Sequence, residues 1–334
     1  MRSSTSFVIQ LADFFVEICG NNGDSSTCLQ DLKRQFQYHE VNRDTPAHHR
    51  IVVCPLRQFK IPREAILNWT SACLGGAYQR LLHPAFFWPH KKEIPSYRGV
   101  GGMSCYKEKQ QPEEYFVPEM AEWRIKHIAQ EHVTYVYMDQ YKDKYSVLPF
   151  LLHIVGSLYG RYLVYGSCVA IKGEALLFIG DSGVGKTSIS MELIKQGADY
   201  IGDDLVLLYS NGEQVMVGSI LRPMKCFMNG VYTRKQIVDA VSDMSRRPPL
   251  SVPLKAVYEL QKYSRWKPGL HLEPMTKDVF FEKMLELTNK TYTHANGHLF
   301  VDTVSSLCIS VPSYRLYADY HKITPSFFAE HDKG

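Results

Sequence analysis

The sequence has no CxxC pair and no compact cluster of cysteines with histidines. Its 8 cysteines are scattered along 334 residues, which is the pattern of free thiols in a reducing compartment rather than of a disulfide framework. A structural zinc site is disfavoured for the same reason, because such sites place their ligands at short, regular spacings.

Long apolar runs and a large charge of one sign are also missing. The longest apolar stretch, residues 147–159, contains His153 and is too short to cross a bilayer, and acidic residues interrupt the apolar N-terminal segment before any cleavage site. A formal net charge of +4, from 38 basic and 34 acidic residues, is too small to predict nucleic-acid binding. The sequence therefore predicts a cytoplasmic protein that engages neither nucleic acid nor membrane.

What the sequence does contain is a phosphate-binding loop that matches GxxxxGK[ST], between an apolar strand pattern and a helical one. Glycines in such a loop let successive backbone N–H groups point at one phosphate, and the helix N-terminus adds positive potential there. Lys186 can reach the β- and γ-phosphates, and the Thr187 hydroxyl is a ligand for Mg²⁺. The predicted nucleotide-binding residues are Gly180, Asp181, Ser182, Gly183, Val184, Gly185, Lys186, Thr187 and Ser188.

The loop is followed by one short predicted helix, which is expected to end at Gly197. Two adjacent carboxylates, Asp203 and Asp204, come soon after this helix. They precede two apolar runs joined by Asn211-Gly212, the strongest short hairpin signal. Phosphoryl transfer uses such a pair, because one carboxylate can bind Mg²⁺ while the other accepts the proton of the attacking hydroxyl. We predict that Asp203 is the base and that Asp204 holds Mg²⁺ with Thr187; the opposite assignment of the pair stays open.

Residues 180–187, 192–197 and 202–204 together resemble the catalytic domain of HPr kinase/phosphorylase and its kinase-like relatives. Residues 217–225, 253–260 and 311–317 look like later segments of that domain, so the resemblance covers about residues 150–320. It implies an α/β fold of the type shared with phosphoenolpyruvate carboxykinase. It also implies transfer of the γ-phosphate of ATP, with Mg²⁺, to a serine hydroxyl on a protein.

The resemblance further implies that arginines approach the reacting phosphates. These are Arg222, in an arginine-proline segment, and Arg246 or Arg247, in the polar segment before the next strand. Two departures from the family stand out: Tyr165 occupies the position where relatives usually carry a histidine, and the glycine-rich signature near the C-terminus of true HPr kinases is missing. Both argue against phosphorylase activity and against HPr itself as the substrate.

One branch of these relatives phosphorylates a serine at the C-terminus of lasso peptide precursors, and the chain resembles it in its variable site and long N-terminal region. The leading hypothesis is therefore an ATP-dependent kinase acting on a serine of a ribosomally made precursor peptide. The alternatives are a small-molecule hydroxyl kinase and a regulatory nucleotide-binding protein without transferase activity. A transport ATPase is disfavoured, because no LSGGQ-like signature is present.

The chain is predicted to form two domains. Residues 1–146 contain short alternating strand patterns and one predicted helix over 63–78, without a catalytic constellation, so we expect an α+β domain that engages the substrate or forms homo-oligomers. Residues 147–334 are predicted to be the P-loop kinase domain, which opens with a buried helix over 147–158. Further helices are expected over 277–287 and 298–307, followed by a returning strand.

Overall fold

The structure is a computed structural model that describes residues 6–21, 26–60, 66–71, 103–107, 113–118, 122–140, 147–221, 224–226, 236–238, 248–261, 270–287, 297–317 and 322–330. These residues form two compact units, one up to Tyr159 and one from Gly160 onward. Both units contain helices and strands, which confirms the predicted mixed α/β class. Among the residues described, no helix is both long and apolar enough to cross a membrane.

The first unit is built on one nine-stranded sheet in the order β3-β1-β2-β4-β9-β8-β7-β6-β5. Strands β2, β4 and β9 are parallel neighbours, and the other pairs are antiparallel. Two helices accompany the sheet, α1 (Ser26–Gln35) and α2 (Leu148–Leu158). The strands are β1 (Ser6–Leu11), β2 (Phe14–Gly20), β3 (Glu40–Val41), β4 (His49–Cys54), β5 (Ile66–Ser71), β6 (Met103–Lys107), β7 (Glu113–Pro118), β8 (Trp123–Ile128) and β9 (Val133–Met138).

The helix predicted over 63–78 is wrong where the structure describes that segment. Ile66–Ser71 is strand β5, paired with β6. The segment carries Ile66, Trp69 and Thr70, whose branched or aromatic side chains favour a pleated strand.

Helix α2 packs within the first unit and does not open the second. Its residues Leu151, Leu152 and Val155 line a small apolar cavity, together with side chains from β1, β2, β4 and α1. Just after the helix, the Tyr159 ring stacks on Phe14 with 5.1 Å between ring centroids. The predicted boundary after residue 146 therefore precedes a helix that the structure places with the first unit. The division into functional domains stays a prediction.

The second unit has a main sheet in the order β10-β14-β15-β18-β12-β11-β13 and a separate pair, β16 with β17. Strands β12, β18 and β20 run parallel, and β19 pairs with β20. Its strands are β10 (Tyr162–Val164), β11 (Ser167–Ile171), β12 (Glu174–Ile179), β13 (Asp199–Gly202), β14 (Val206–Ser210), β15 (Val215–Gly218), β16 (Met224–Cys226), β17 (Gln236–Val238), β18 (Ser251–Gln261), β19 (His271–Pro274) and β20 (Ser313–Tyr317), and its helices are α3 (Lys186–Lys195), α4 (Lys277–Leu287), α5 (Gly297–Ser310) and α6 (Pro325–Glu330).

The centre of the second unit is strand β12, whose residues from Ala175 to Ile179 are all buried. A continuous apolar run is typical of a parallel strand covered on both faces. On one face, Leu176 and Phe178 pack with Ile189 and Leu193 of α3. This packing fixes α3 against the strand from which the phosphate loop leaves.

Several local predictions for this unit are confirmed. Helix α3 is followed by Gly197 in the left-handed region, with φ of 95°. The Asn211-Gly212 turn joins β14 and β15 as an antiparallel hairpin, and Gly212 has φ of 94°. The predicted helices over 277–287 and 298–307 are present as α4 and α5, and β20 is the returning strand.

A buried histidine cluster links three strands of the first unit. Thr134 Oγ1 on β9 lies 2.9 Å from His49 Nε2 on β4 and 2.9 Å from His127 Nδ1 on β8. The other ring nitrogens, His49 Nδ1 and His127 Nε2, are buried and find no hydrogen-bond partner within the described segments. Burial, together with repulsion from neighbouring histidines, lowers the pKa of His49 to about 3 and that of His127 to about 4.

We predict that acid destabilises the first unit through this cluster. The folded-state pKa values lie below the ordinary value of 6.5, so the unfolded chain binds protons first as the pH falls. The free energy of unfolding is therefore highest above pH 6.5. It falls as the pH drops below 6.5, by about 2 kcal/mol per histidine at about pH 5. Urea unfolding at neutral pH and at about pH 5, followed by tryptophan fluorescence, measures this loss. The variant His127→Gln, which cannot titrate, should show a smaller loss; an equal loss would contradict the prediction.

Candidate active site

The phosphate loop joins the end of β12 at Ile179 to the start of α3 at Lys186, which confirms the predicted strand, loop and helix order. Three of its glycines have positive φ: 131° at Gly180, 80° at Gly183 and 111° at Gly185. Glycine adopts these values without the steric penalty of a Cβ atom. The sequence spacing therefore matches the backbone that the loop adopts.

Gly180 also meets a second requirement, because the loop backbone passes very close to strand β18. A Cβ atom at Gly180 would lie 2.9 Å from the Leu260 carbonyl oxygen and 3.3 Å from Val184 Cγ1. At Gly183, by contrast, a Cβ atom would meet no atom within 4 Å. The first glycine of the loop is thus fixed by packing as well as by conformation.

Lys186 is buried, with 6% of its surface exposed. Its ammonium group donates hydrogen bonds to the carbonyl oxygens of Gly180, at 2.8 Å, and Asp181, at 2.9 Å. It also lies 5.0 Å from the centroid of the Tyr165 ring, a cation–π distance. The loop therefore holds a positive charge beside its own backbone, at the N-terminus of a helix, where an anion is favoured.

Asp203 follows β13 and lies against the loop helix. The Thr187 hydroxyl contacts both carboxylate oxygens, at 3.0 Å and 3.1 Å. Burial and then the charge of Asp204 raise the pKa of Asp203 to about 6, although hydrogen bonds from Ser167, Thr187 and the Asp204 backbone oppose the rise. A carboxylate that is only 8% exposed is thus joined to the hydroxyl predicted to bind Mg²⁺.

Asp204 has a different environment from Asp203. It is half-buried and has φ of 65°, a left-handed conformation that aspartate tolerates better than most residues. Its carbonyl oxygen accepts a hydrogen bond from the Gly166 N–H at 3.3 Å. Just before the pair, a Cβ atom at Gly202 would lie 2.8 Å from the Leu205 carbonyl oxygen, so the tight turn requires glycine.

Two buried serines belong to this site, although the sequence analysis did not single them out. Ser167 at the start of β11 and Ser190 in α3 have no exposed surface, and their hydroxyl oxygens lie 2.7 Å apart. The available signal was the position of Ser190, three residues after Thr187, since residues at that spacing share one face of a helix. The strand pairing that brings Ser167 to them could not be inferred from spacing.

The predicted arginines Arg222, Arg246 and Arg247 lie outside the described residues, and their roles stay predictions.

Within the described residues, no group of three or more histidine, cysteine, aspartate or glutamate side chains could hold a metal ion. Thr187 and Asp203 do offer adjacent hard oxygen atoms. Such a pair suits Mg²⁺, which keeps several waters and usually binds proteins through one or two side chains plus substrate phosphates.

We predict unequal effects of alanine at two loop glycines. Gly180→Ala forces a Cβ atom against the Leu260 carbonyl, whereas Gly183→Ala adds only the conformational cost of positive φ, about 1–2 kcal/mol. Titration with a fluorescent ATP analogue should show severe loss of binding for Gly180→Ala and a milder loss for Gly183→Ala. Equal affinities of the two variants would contradict the role of this close contact.

Comparison with known proteins finds similarity to HPr kinases over part of the chain. Residues 157–231 match the family model of the HPr Serine kinase C-terminal domain. The HPr kinase/phosphorylase of Lactiplantibacillus plantarum is 44% identical over 66 residues, which are 20% of this chain and 21% of that protein. The HPr kinase/phosphorylase of Chloroherpeton thalassium is 29% identical over 92 residues, which are 26% of this chain and 27% of that protein.

Among solved structures, the Hpr(Ser) kinase/phosphatase from Coxiella burnetii is similar at 14% identity and a TM-score of 0.27, over 46% of this chain and 83% of that chain. The chain spans about a fifth of the length of the first curated relatives it matches. The matched segment contains the phosphate loop, α3, the aspartate pair and the hairpin that follows. This part of the chain is similar to the HPr Serine kinase C-terminal domain.

Proposed function

We propose that the protein is an ATP-dependent phosphotransferase that moves the γ-phosphate of ATP to a hydroxyl group. The observation that carries this proposal is the contact between Thr187, in the phosphate loop, and the buried Asp203 carboxylate. This contact supports a site in which the Thr187 hydroxyl, the loop lysine and the aspartate pair act together. The description of the matching family model, HPr Serine kinase C-terminal domain, and the name of the relatives, HPr kinase/phosphorylase, support a serine kinase.

ATP would bind through the loop backbone and Lys186. The ammonium group now donates to the Gly180 and Asp181 carbonyls, and phosphate oxygens would replace these acceptors with stronger, charge-assisted ones. The Tyr165 ring would stay a cation–π partner of the ammonium group, because two of its three N–H donors would meet the phosphates and one is left for the ring. Lys186 is then positioned to bind the β- and γ-phosphates.

Mg²⁺, when bound, would neutralise the charge of the phosphates and orient them for transfer. Thr187 and Asp203 are the residues that we propose to hold it. The Thr187 hydroxyl can donate its proton to Asp203 while a lone pair of the same oxygen faces a cation. This contact favours the opposite assignment of the aspartates to the one first predicted, with Asp203 beside the metal.

Asp204 is then the proposed general base. It is more exposed than Asp203 and can meet the hydroxyl of an incoming substrate. A carboxylate that accepts this proton typically contributes a factor of about 10²–10⁴ to the rate. Arg222 with Arg246 or Arg247 would offset the negative charge on the transferred group, as the family resemblance implies.

For the acceptor, we propose a serine of a ribosomally made precursor peptide of the lasso type. The first unit would engage this peptide or form homo-oligomers, in the cytoplasm. Tyr165 is the observation that favours an alternative: its ring lies 5.0 Å from the Lys186 ammonium group, at a position where the family resemblance implies a histidine, so a regulatory nucleotide-binding role stays open. A small-molecule hydroxyl kinase would use the same loop and aspartates.

We predict three separable effects of substitution in this site. Lys186→Ala should abolish transfer and greatly weaken nucleotide binding, because it removes the loop cation. Asp204→Asn should lower the transfer rate by about 10²–10⁴ while nucleotide binding is kept. Asp203→Asn should abolish transfer and reduce the dependence of nucleotide binding on Mg²⁺. Intact mass of a serine-terminated precursor peptide after incubation with Mg-ATP measures transfer, and a fluorescent ATP analogue measures binding.

The acceptor is tested in the same reactions. A phosphate-sized mass gain on the peptide with the wild type, absent with Asp204→Asn, supports the peptide kinase. ATP consumption only with a metabolite extract indicates a small-molecule kinase. Full turnover by Asp204→Asn would show that the proposed base is wrong.

A further inference from the structure

Four oxygen-bearing side chains, three of them buried, lie in a row beside the loop. Thr187 contacts Asp203, hydrogen bonding links Asp203 with Ser167, and Ser167 contacts Ser190 at 2.7 Å. Ser167 and Ser190 are fully buried, and Asp203 is 8% exposed. Two of the side chains lie on helix α3, and two lie at the ends of sheet strands.

The strand pairing explains why Ser167 reaches Asp203. In the antiparallel ladder of β11 and β13, Cys168 is opposite Gly202. The next position outward on each strand is therefore Ser167 on β11 and Asp203 after β13. Ser167 is also paired with Phe178 of β12, so its backbone is held by the strand that leads into the loop.

Helix α3 completes the arrangement from the other side. Thr187 and Ser190 are three residues apart and share one helix face. The Ser167 hydroxyl donates to Ser190 in this arrangement. A serine hydroxyl has one proton and can also accept, so Ser167 donates to the Asp203 carboxylate when the Ser190 hydroxyl turns to donate to Ser167. The carboxylate thus has one hydroxyl contact from Thr187 and another from Ser167, which Ser190 orients.

We propose that Ser167, oriented by Ser190, is a positioning residue that holds the Asp203 carboxylate against Thr187 and so strengthens the binding of Mg²⁺ with the nucleotide. This inference rests on the proposed function, in which Thr187 and Asp203 hold the metal. Groups that orient metal-binding side chains typically change metal affinity by about 10–100-fold when they are removed. Without Ser167, Thr187 is the one side chain of the described residues that would orient Asp203, and its oxygen is itself a proposed ligand.

A purely structural role for the two serines makes a different prediction. If they only joined helix α3 to the sheet, their removal would disturb the loop and weaken nucleotide binding with and without Mg²⁺ alike. If the serines position Asp203, their removal lowers only the gain in nucleotide affinity that Mg²⁺ produces. The ratio of nucleotide affinities in Mg²⁺ and in EDTA therefore separates the two roles.

The experiment titrates the full chain with a fluorescent ATP analogue in Mg²⁺ and in EDTA. We expect Ser167→Ala to lower this ratio about tenfold, with EDTA affinity unchanged, and Ser190→Ala to lower it less. Ser219→Ala is the matched control, because Ser219 is also fully buried but its hydroxyl donates to the Pro249 carbonyl. Its ratio should equal that of the wild type.

The outcomes separate this inference from the proposed function. A wild type whose affinity is the same in Mg²⁺ and EDTA would overturn the proposed metal site, and this inference with it. A wild type that gains affinity from Mg²⁺, together with a Ser167→Ala variant that keeps the full gain, would overturn the positioning role alone. An equal loss of nucleotide affinity by Ser167→Ala in Mg²⁺ and in EDTA would also overturn the positioning role alone. If Ser167→Ala does not fold, an unchanged ratio in Ser190→Ala overturns the proposal.

Discussion

The hydrogen bonds between the Thr187 hydroxyl and the Asp203 carboxylate are the interaction on which the site depends. They join the helix that begins at the phosphate loop to the end of β13, two strands away from β12 in the sheet. To make this contact, α3 must pack on β12 and β13 must pair with β11. Much of the second unit can be understood as the support that these two conditions require.

Burying the Asp203 carboxylate carries a cost, because desolvation disfavours the charged form. Hydrogen bonds from Thr187, Ser167 and the backbone offset part of that cost and fix where the carboxylate points. A cation beside Thr187 would offset more of it. The same arrangement that is unfavourable for an isolated charge is therefore suited to a site that receives a metal with its nucleotide.

The sequence predicted best what is decided locally. The loop glycines, the glycine after α3 and the Asn211-Gly212 hairpin each depend on backbone conformations that few residues adopt, and all are present. The order of strand, loop and helix followed from the same motif. The family resemblance that the motif indicated agrees with the family-model match over residues 157–231.

Features decided by packing could not be predicted from spacing. The apolar pattern of α2 gives no indication of which unit covers it, so its place beside Phe14 and the first sheet was missed. Two adjacent aspartates look alike in sequence, yet one turn makes Asp203 buried and leaves Asp204 half-buried. Ser167 joins the site only through the pairing of β11 with β13.

The central claim is that the γ-phosphate of ATP is transferred to a serine hydroxyl. Phosphorus NMR of Mg-ATP with the protein and a serine-terminated precursor peptide follows that phosphate directly. We predict that a phosphoserine signal grows as the γ-phosphate signal of ATP falls, and that Asp204→Asn protein slows both changes by about 10²–10⁴. Unchanged ATP, or ATP converted only to ADP and inorganic phosphate, would contradict it.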